Sequence, residues 1–389
     1  MDFELTQDQQ IFYDSVKRFA VNELADGAVD RANSDGYLWD IAARFAEMGL
    51  LGITIPESKG GIGGSLTDAV LAIQAIAEVC PRSADVVQAG NFGAIRTFAE
   101  YANADQLARF LPDLLAGKGV MSVGMSEPDA GSSVTELKTS ATPDGDDFLV
   151  NGSKVFGTNS GDAEVFLIYL RFGPGTEGIG SALIEKGTAG FEIGPGYRYM
   201  NGESWSPLYF DNCRIPKASI LLGSGGFKKQ ISGFNIERLG NAARAVAVGR
   251  KAFNEARDHT KTRRQFGRDI CEFQGLQWKF AEMKMRLEAA QLLLMRAVTR
   301  ADNDLPSAQD SALAKLACND AGFYAANEAL QIMGALGFSD DNIVQYCMRR
   351  TRGWMIAGGS TEILKNRIAE GIFERRFSQR PPKPAKDGA

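Results

Sequence analysis

The sequence predicts a mainly α-helical α+β protein with an N-terminal helical domain, a middle antiparallel β domain and a C-terminal four-helix bundle. Three observations support this fold class. Apolar residues recur at helical spacing up to about residue 120, strand-like runs between turn residues follow, and long helical patterns then return. The predicted domains are residues 1–120, 121–228 and 229–378, and residues 379–389 are predicted to form a disordered tail.

The N-terminal domain is predicted from apolar residues spaced three and four apart, which places them on one face of a helix. Two such sets occur, Ile11, Phe12, Val16 and Phe19, and Ile41, Phe45 and Met48. The glycine-rich stretch IPESKGGIGGS interrupts the pattern and is predicted to be a loop. Thr67 or Asp68 is then expected to cap the apolar helix AVLAIQAIAEV.

The middle and C-terminal domains differ clearly in their patterns. DDFLVNGSKVFGTN, EVFLIYLRF, GSALIEK and SPLYFDNCRI are bounded by Gly, Pro or Asp, as strands are, and the N-G pair of the first predicts a turn. Later segments keep helical periodicity with few breakers, which favours an antiparallel bundle. These segments are 230–258, 273–301, 308–335 and 341–352.

Composition excludes several classes of protein. A net charge of −5 and a pI near 5.3 argue against nucleic acid as the main partner. Five widely spaced cysteines without a C-x-x-C pair argue against a disulfide framework or a zinc site and favour a reducing compartment, here the cytoplasm. The single histidine, His259, leaves no multi-histidine metal site, and no apolar run is long enough to span a membrane.

The segment MSVGMSEPDAGSSVTELKTSA, residues 121–141, carries the most specific signal. Gly131 allows close approach of the backbone to a ligand, and exposed N–H groups in such a turn can hold a pyrophosphate. An A-G-S-S string alone is more typical of a solvated turn. The full string, however, resembles the flavin-binding signature of the acyl-CoA dehydrogenase family, T-E-P-x-A-G-S-D followed by T-x-A, with Thr139 and Ala141 as the last part.

Four further segments resemble motifs of the same family, in the same order along the chain. They are NGSKVFGTNSG at 151–161, RRQFGRDICEFQ at 263–274, LQIMGALGF at 330–338 and AGGSTEI at 357–363. The resemblance implies an enzyme that binds FAD and moves hydrogen between a CoA thioester and the flavin.

The resemblance also implies which residues hold the cofactor. Met125 and Ser126 match the flavin pyrimidine contact, and Thr158 matches the hydroxyl near flavin N5. Phe156 stands where the family usually has a tryptophan that packs on the isoalloxazine ring. Four other residues match positions beside the pyrophosphate, CoA or flavin: Gly131, Ser132, Ser360 and Glu362.

A second group matches residues that a neighbouring subunit lends to FAD: Arg263, Phe266, Gln274, Gln331 and Gly334. The resemblance therefore implies a homo-oligomer, a dimer or a tetramer, with a shared FAD site. Taken alone, KTRRQFGR is more typical of a solvated helix end.

The catalytic base is expected at Glu237. Many family members carry this glutamate in the last loop, but Gly358 occupies that position here. Relatives resembling isovaleryl-CoA dehydrogenase place it on a helix instead, and FNIERLG brings Glu237 to that position. The backbone N–H of Gly359 is the expected donor to the thioester oxygen, together with a flavin ribityl hydroxyl. The alternative is a surface glutamate paired with Arg238 or Arg244.

Asn241 and Arg244 follow Glu237 on the same helical face. A buried Asn and Arg there predict a short acyl group with a polar or anionic function, although both could instead bind neighbouring helices. Asn235 and Arg238 match positions near the pantetheine and phosphate of CoA, and Ser132 lies on the same side.

Four functions remain open at this point. The first is α,β-dehydrogenation of an acyl-CoA with electrons passed to an electron-transfer flavoprotein. The second is the reverse reaction, an enoyl-CoA reductase. The third is flavin chemistry on a nitroalkane or with oxygen, and the fourth is a flavin-binding partner protein without catalysis, which Gly358 would support.

Overall fold

The computed structural model describes residues 4–301 and 305–378, so the tail predicted at 379–389 lies outside the described residues. The N-terminal part is helical, as predicted. Its helices are α1 (Gln7–Leu24), α2 (Ala28–Asn33), α3 (Trp39–Glu47), α4 (Leu66–Ala77), α5 (Ala84–Asn91), α6 (Gly93–Tyr101) and α7 (Ala104–Leu115). Ser65, not Thr67 or Asp68, caps α4, because its hydroxyl and the Asp68 carboxylate bind each other's backbone N–H groups in a capping box.

A twisted β-sheet forms the middle of the chain. Its strands are β1 (Met121–Gly124), β2 (Ser140–Asp144), β3 (Asp147–Lys154), β4 (Val165–Arg171), β5 (Ile179–Glu185), β6 (Phe191–Ile193), β9 (Leu208–Pro216) and β10 (Ile220–Leu222). Two short strands, β7 (Tyr197–Arg198) and β8 (Ser204–Trp205), pair separately. The main order is β10-β5-β4-β2-β3-β9-β6.

Two details of the sheet differ from the prediction. Pairing is antiparallel except that β1 and the start of β2 run parallel to β4, since the chain makes a long excursion before β4 and can approach it from the same direction. The N-G pair lies inside β3, where the register shifts, rather than in a turn. Gly145, at φ 64°, makes the turn between β2 and β3 instead.

The C-terminal part is helical again, and the four predicted long helices are present. They are α8 (Phe227–Thr262), α9 (Gln274–Thr299), α10 (Ala308–Met333) and α12 (Ile343–Trp354). The prediction lacked α11 (Ala335–Phe338), α13 (Thr361–Ile372) and a small hairpin of β11 (Arg264–Gln265) and β12 (Arg268–Asp269). The predicted order of an N-terminal helical part, a middle β domain and a C-terminal helical bundle is thus confirmed.

The helices of both ends of the chain share one apolar core, in which Ile73 of α4, Val246 of α8 and Tyr346 of α12 are buried together. Helices α8 and α10 approach closely because Gly249 and Gly322 face each other: a Cβ atom at Gly249 would lie 2.8 Å from the Gly322 Cα. This crossing fixes α8 and α10 as the frame of the candidate site. Among the described residues, no helix is both long and apolar enough to cross a bilayer.

Candidate active site

Glu237 lies on α8 and is half-buried between helices from both ends of the chain. Gln88 Nε2 donates to its Oε2 at 2.8 Å, and Asn241 Nδ2 donates to its Oε1 at 3.0 Å. Burial raises the pKa of Glu237 above its usual range, although Arg244, the two amides and Lys315 act in the opposite direction. A carboxylate held by neutral amides in a partly dry setting has the properties of a general base.

The loop before α13 approaches this glutamate through two glycines. Gly358 and Gly359 have φ of 67° and 99°, a backbone region that favours glycine. A Cβ atom at Gly358 would lie 3.1 Å from Asn241 Nδ2 and 3.4 Å from Lys315 Nζ. Asn241 of α8 and Lys315 of α10 therefore occupy the space that a side chain at position 358 would need. We refer to residues 357–360 as the Gly-Gly turn.

Two cationic side chains bind the carbonyl groups of the Gly-Gly turn. Arg238 Nε donates to Gly358 O at 3.3 Å, and Lys315 Nζ donates to Gly359 O at 2.8 Å and also to Ala357 O. Lys315 is fully buried, and burial lowers its pKa to about 7; Arg238 also lowers it, whereas Glu237 raises it. No feature of the sequence had singled out Lys315.

Asn235 and Arg238, predicted near CoA, are buried and bound to protein groups. Arg238 Nη1 donates to Asn235 Oδ1 at 2.7 Å, and Asn235 Nδ2 donates to Pro306 O at 3.0 Å. Asn235 thereby fixes the guanidinium that reaches the Gly-Gly turn. Contact of these two side chains with CoA stays a prediction.

A buried ion cluster adjoins Asn241 and consists of Arg82, Asp85, Glu203, Arg244 and Arg350. Asp85 binds Arg82 at 3.1 Å, Arg350 at 2.7 Å and Arg244, and Glu203 binds Arg82 at 3.5 Å and Arg350. Burial alone would raise the pKa of Asp85, but Arg350, Arg244 and Arg82 lower it well below its usual range. The cluster joins α5, the β7–β8 region, α8 and α12, and it holds more arginines than carboxylates.

Arg244 and Asn241, predicted as substrate contacts, occupy different positions. Arg244 Nη1 binds Asp85 on α5, and Arg244 Nη2 donates to Asn241 Oδ1, so both of its Nη groups are already bound within the protein. Asn241 instead contacts Glu237 directly. In the described part of the chain, Gln88 Oε1 and the Nε atoms of Arg244 and Arg350 are buried without a hydrogen-bond partner.

Phe156 and Thr158 follow β3 and are exposed. Phe156 has φ of 63°, a rare conformation for an aromatic residue, and its ring lies 4.6 Å from Trp205 and 6.4 Å from Tyr199. The Thr158 carbonyl accepts a hydrogen bond from Ser122 Oγ at 2.8 Å. Phe156 thus presents an exposed aromatic face two residues from the exposed Thr158.

The loop that carries Met125 and Ser126 is anchored by a buried ion pair that the sequence reasoning missed. Lys154 Nζ donates to Glu127 Oε1 at 2.8 Å and to Met125 O at 3.3 Å. The same glutamate accepts from the Thr139 hydroxyl at 2.6 Å. Glu127 and Lys154 lie within motifs quoted above, but their pairing joins two segments that are distant in sequence, which no local pattern records.

Gly131 and Ser132 are exposed beyond this loop, and a Cβ atom at Gly131 would meet nothing within 4 Å. Steric crowding within this chain therefore does not require glycine at 131. Ser360 caps α13, with its Oγ accepting from Ile363 N at 3.4 Å, and Glu362 is exposed in the first turn of that helix.

The remaining predicted cofactor residues lie far from Glu237. Arg263 follows the end of α8, and a helical rise of about 1.5 Å per residue places it about 39 Å along the axis from Glu237. Phe266 is 94% exposed at φ 52° in the β11–β12 hairpin. Gln274 begins α9, and Gln331 and Gly334 lie at the end of α10, all exposed.

Three family models together cover most of the chain. The acyl-CoA dehydrogenase N-terminal domain matches residues 6–118, the middle domain residues 122–213 and the C-terminal domain residues 224–373. This chain belongs to the acyl-CoA dehydrogenase family. It is accordingly an oxidoreductase with FAD as its cofactor. The ring of Phe156 is 56% exposed, and the N–H of Val155 donates to the Ser126 carbonyl at 2.9 Å, so a free aromatic surface adjoins the loop that carries Ser126. Such a surface fits a flat aromatic cofactor.

Similar acyl-CoA dehydrogenase family proteins carry several names. The short-chain-specific acyl-CoA dehydrogenase of Clostridium acetobutylicum is 31% identical over 96% of this chain and 100% of that protein. A 3-sulfinopropanoyl-CoA desulfinase of Advenella mimigardefordensis is 32% identical over 97% and 96%. The acryloyl-CoA reductase (NADH) of Anaerotignum propionicum is 31% identical over 96% and 97%.

Solved structures of the family superpose closely. A glutaryl-coenzyme A dehydrogenase in complex with glutaryl-CoA has a TM-score of 0.92 at 28% identity and covers 98% of this chain and 98% of that chain. A structure from work on the electron transferring flavoprotein of Acidaminococcus fermentans has a TM-score of 0.89 at 29% identity, covering 96% and 99%.

Proposed function

We propose that this protein catalyses the FAD-dependent α,β-dehydrogenation of a compact acyl-CoA that carries a polar or anionic group, with Glu237 as base. The observation that carries the proposal is the position of Glu237, which is half-buried, held by two amide donors and next to Asn241 at the Gly-Gly turn. A side chain turned to bulk water would not support it.

The reaction divides among the residues of the site. The thioester carbonyl acidifies the α C–H, and Glu237 removes that proton. The Gly359 N–H donates to the thioester oxygen as negative charge develops on it. Bound FAD would supply the acceptor for the β-hydrogen, which leaves as a hydride. Phe156, Ser126 and Thr158 would pack against or hydrogen-bond the isoalloxazine.

A polar acyl group is supported by the surroundings of Glu237. The ion cluster has three guanidinium groups for two carboxylates, and the Nε–H groups of Arg244 and Arg350 are buried in it without a hydrogen-bond partner. A hydrocarbon tail would leave these buried N–H groups without partners, whereas a carboxylate or sulfinate could accept hydrogen bonds from them. Relatives named for 3-sulfinopropanoyl-CoA and a structure with glutaryl-CoA agree with this chemistry.

A homo-oligomer and an electron-transfer flavoprotein complete the proposed system. Arg263, Phe266 and Gln331 are exposed and distant from Glu237 in the same chain, as residues that serve a neighbouring copy would be. The similarity to a structure from work on an electron transferring flavoprotein supports that class of electron acceptor.

The reverse reaction is a second candidate, because one relative is named an acryloyl-CoA reductase. The same residues would serve it, with Glu237 returning the proton to the α carbon. Reoxidation of the reduced enzyme by acryloyl-CoA, compared with reduction by propanoyl-CoA, distinguishes the physiological direction.

The test is anaerobic bleaching of the flavin by butanoyl-, glutaryl-, succinyl- and octanoyl-CoA. We expect the compact or anionic esters to reduce the flavin fastest; faster bleaching by octanoyl-CoA would contradict the polar pocket. Glu237→Gln should keep the yellow flavin and lose reduction. Full reduction in this variant would remove Glu237 as base and with it the proposed mechanism.

A further inference from the structure

The three consecutive carbonyl groups of residues 357, 358 and 359 are all bound by cationic side chains. Lys315 holds the first and the third, and Arg238 holds the second. The two cations come from different helices, α10 and α8. A loop could be fastened by a single neutral donor, so two buried cations on one turn call for a physical reason.

The orientation of the carbonyl groups fixes the orientation of the N–H groups. The described chain has no cis peptide bonds, and in a trans peptide the N–H points opposite to the C=O. Because Gly358 O is turned toward Arg238, the N–H of Gly359 points away from Arg238. Within the described residues, the N–H groups of Gly358 and Gly359 donate to no protein acceptor.

We propose that Lys315 and Arg238 are positioning residues that orient and strengthen the Gly359 N–H as the hydrogen-bond donor to the substrate thioester oxygen. The inference rests on the proposed dehydrogenation. A cation on a peptide oxygen polarises the peptide, and the hydrogen bond donated by its N–H becomes stronger in a site of low dielectric. Arg238 acts directly on the Gly359 N–H peptide, and Lys315 acts on the peptides before and after it.

The charge of Lys315 has a second effect on the reaction. Removal of the α-proton places negative charge on the thioester oxygen, and a nearby ammonium stabilises that charge. The charged groups that face Lys315 are Glu237 and Arg238, both from α8. Burying an ammonium is unfavourable, which a purely structural anchor would not require.

The test measures the α-proton step without hydride transfer. (Methylthio)acetyl-CoA has an acidic α C–H and a sulfur atom at the β position, so it can lose the proton but has no β-hydrogen to give. Its α-hydrogen exchange in D₂O, followed by mass spectrometry, reports proton removal and stabilisation of the enolate. The holoenzyme is compared with Lys315→Met, Lys315→Gln and Arg238→Gln, and with Lys365→Met as an exposed lysine control.

We expect Lys315→Met and Lys315→Gln to exchange about tenfold to a hundredfold more slowly, with a smaller change in the Kd of the thioester. Gln can donate to one carbonyl but carries no charge, so normal exchange in Lys315→Gln would reduce Lys315 to an anchor and overturn the proposal. Lys365→Met should match the unmodified protein.

Arg238→Gln probes the same peptide from α8 and keeps the proposal testable if a Lys315 variant loses its flavin. Exchange that is unchanged in Arg238→Gln would also contradict the inference. Absence of exchange in the unmodified protein would remove the proposed base and this inference together, whereas normal exchange that no variant slows would remove the inference alone.

Discussion

Asn241 Nδ2 donates a hydrogen bond to Glu237 Oε1 over 3.0 Å, and the carbonyl oxygen of the same amide accepts from Arg244. The amide thus joins the candidate base to the buried ion cluster. Its N–H favours the charged form of the carboxylate and limits how far burial raises the pKa of Glu237.

Asn241→Leu should therefore raise the pKa of Glu237 further. A general base must be deprotonated, so the rise of the flavin-reduction rate with pH should move to higher pH in this variant. The rate at pH 7 would fall while the rate at high pH recovers. The pH profile of anaerobic flavin reduction is the measurement. A uniform loss at every pH would show that Asn241 does not tune Glu237.

Parts of this site can be predicted from the sequence and other parts cannot, for one physical reason. Glu237 and Gly358 can be recognised from their local strings, because each motif occupies a single stretch of chain. Gln88 and Lys315 meet them only through the packing of α5 and α10 on α8, which no local pattern records. Likewise α13 directly follows a segment with two consecutive glycines, which locally predict a loop.

The folded stability should depend on pH through Lys315. Burial lowers the pKa of this lysine to about 7, below its unfolded value of about 10.4. Between these values the unfolded chain binds more protons than the native protein, so this contribution to stability rises with pH, by at most about 1.4 kcal/mol per pH unit. Urea unfolding of the unmodified protein and Lys315→Met at pH 7 and pH 9.5 isolates the effect.

The unmodified protein should gain stability relative to Lys315→Met between those two pH values. Lys365→Met removes an exposed ammonium and should keep a constant difference from the unmodified protein. A difference between the unmodified protein and Lys315→Met that is independent of pH would mean that Lys315 stays protonated throughout.

Asp85 should be the most damaging single residue to neutralise in the ion cluster. It binds three arginines, so Asp85→Asn leaves buried guanidinium groups without a compensating charge and should lower the free energy of unfolding by about 3–5 kcal/mol. Chemical denaturation at pH 7 measures this loss. Asp146→Asn, a change in an exposed turn, is the matched control and should stay near the unmodified value.

Asp85 should also make the stability of the folded protein sensitive to acid. The arginines lower the pKa of Asp85 well below its unfolded value of about 3.9, so its contribution is complete above that pH and is lost as the pH falls below it. Asp85→Asn should lack this part of the acid transition. An equally steep loss of stability below pH 4 in the variant would assign the transition to other carboxylates.

Substitution of Gly93 can show whether the position of the Glu237 carboxylate, and not only the stability of the fold, controls the rate of the reaction. Gly93 has φ of 61°, and a Cβ atom there would lie 2.7 Å from Glu237 Oε2. Gly145 has φ of 64° with nothing within 4 Å of its Cβ position, so Gly145→Ala carries the same backbone strain without the contact. Each variant should lose about 1 kcal/mol of stability, because alanine is strained in this backbone region.

Only Gly93→Ala should also slow flavin reduction, because the methyl group displaces the carboxylate from its hydrogen bond with Gln88. A misplacement of this size at a base reduces rates by about a hundredfold. Flavin reduction by butanoyl-CoA, measured beside thermal unfolding of both variants, separates the two effects. Equal rates in Gly93→Ala and Gly145→Ala would mean that the position of the Glu237 carboxylate does not limit the reaction.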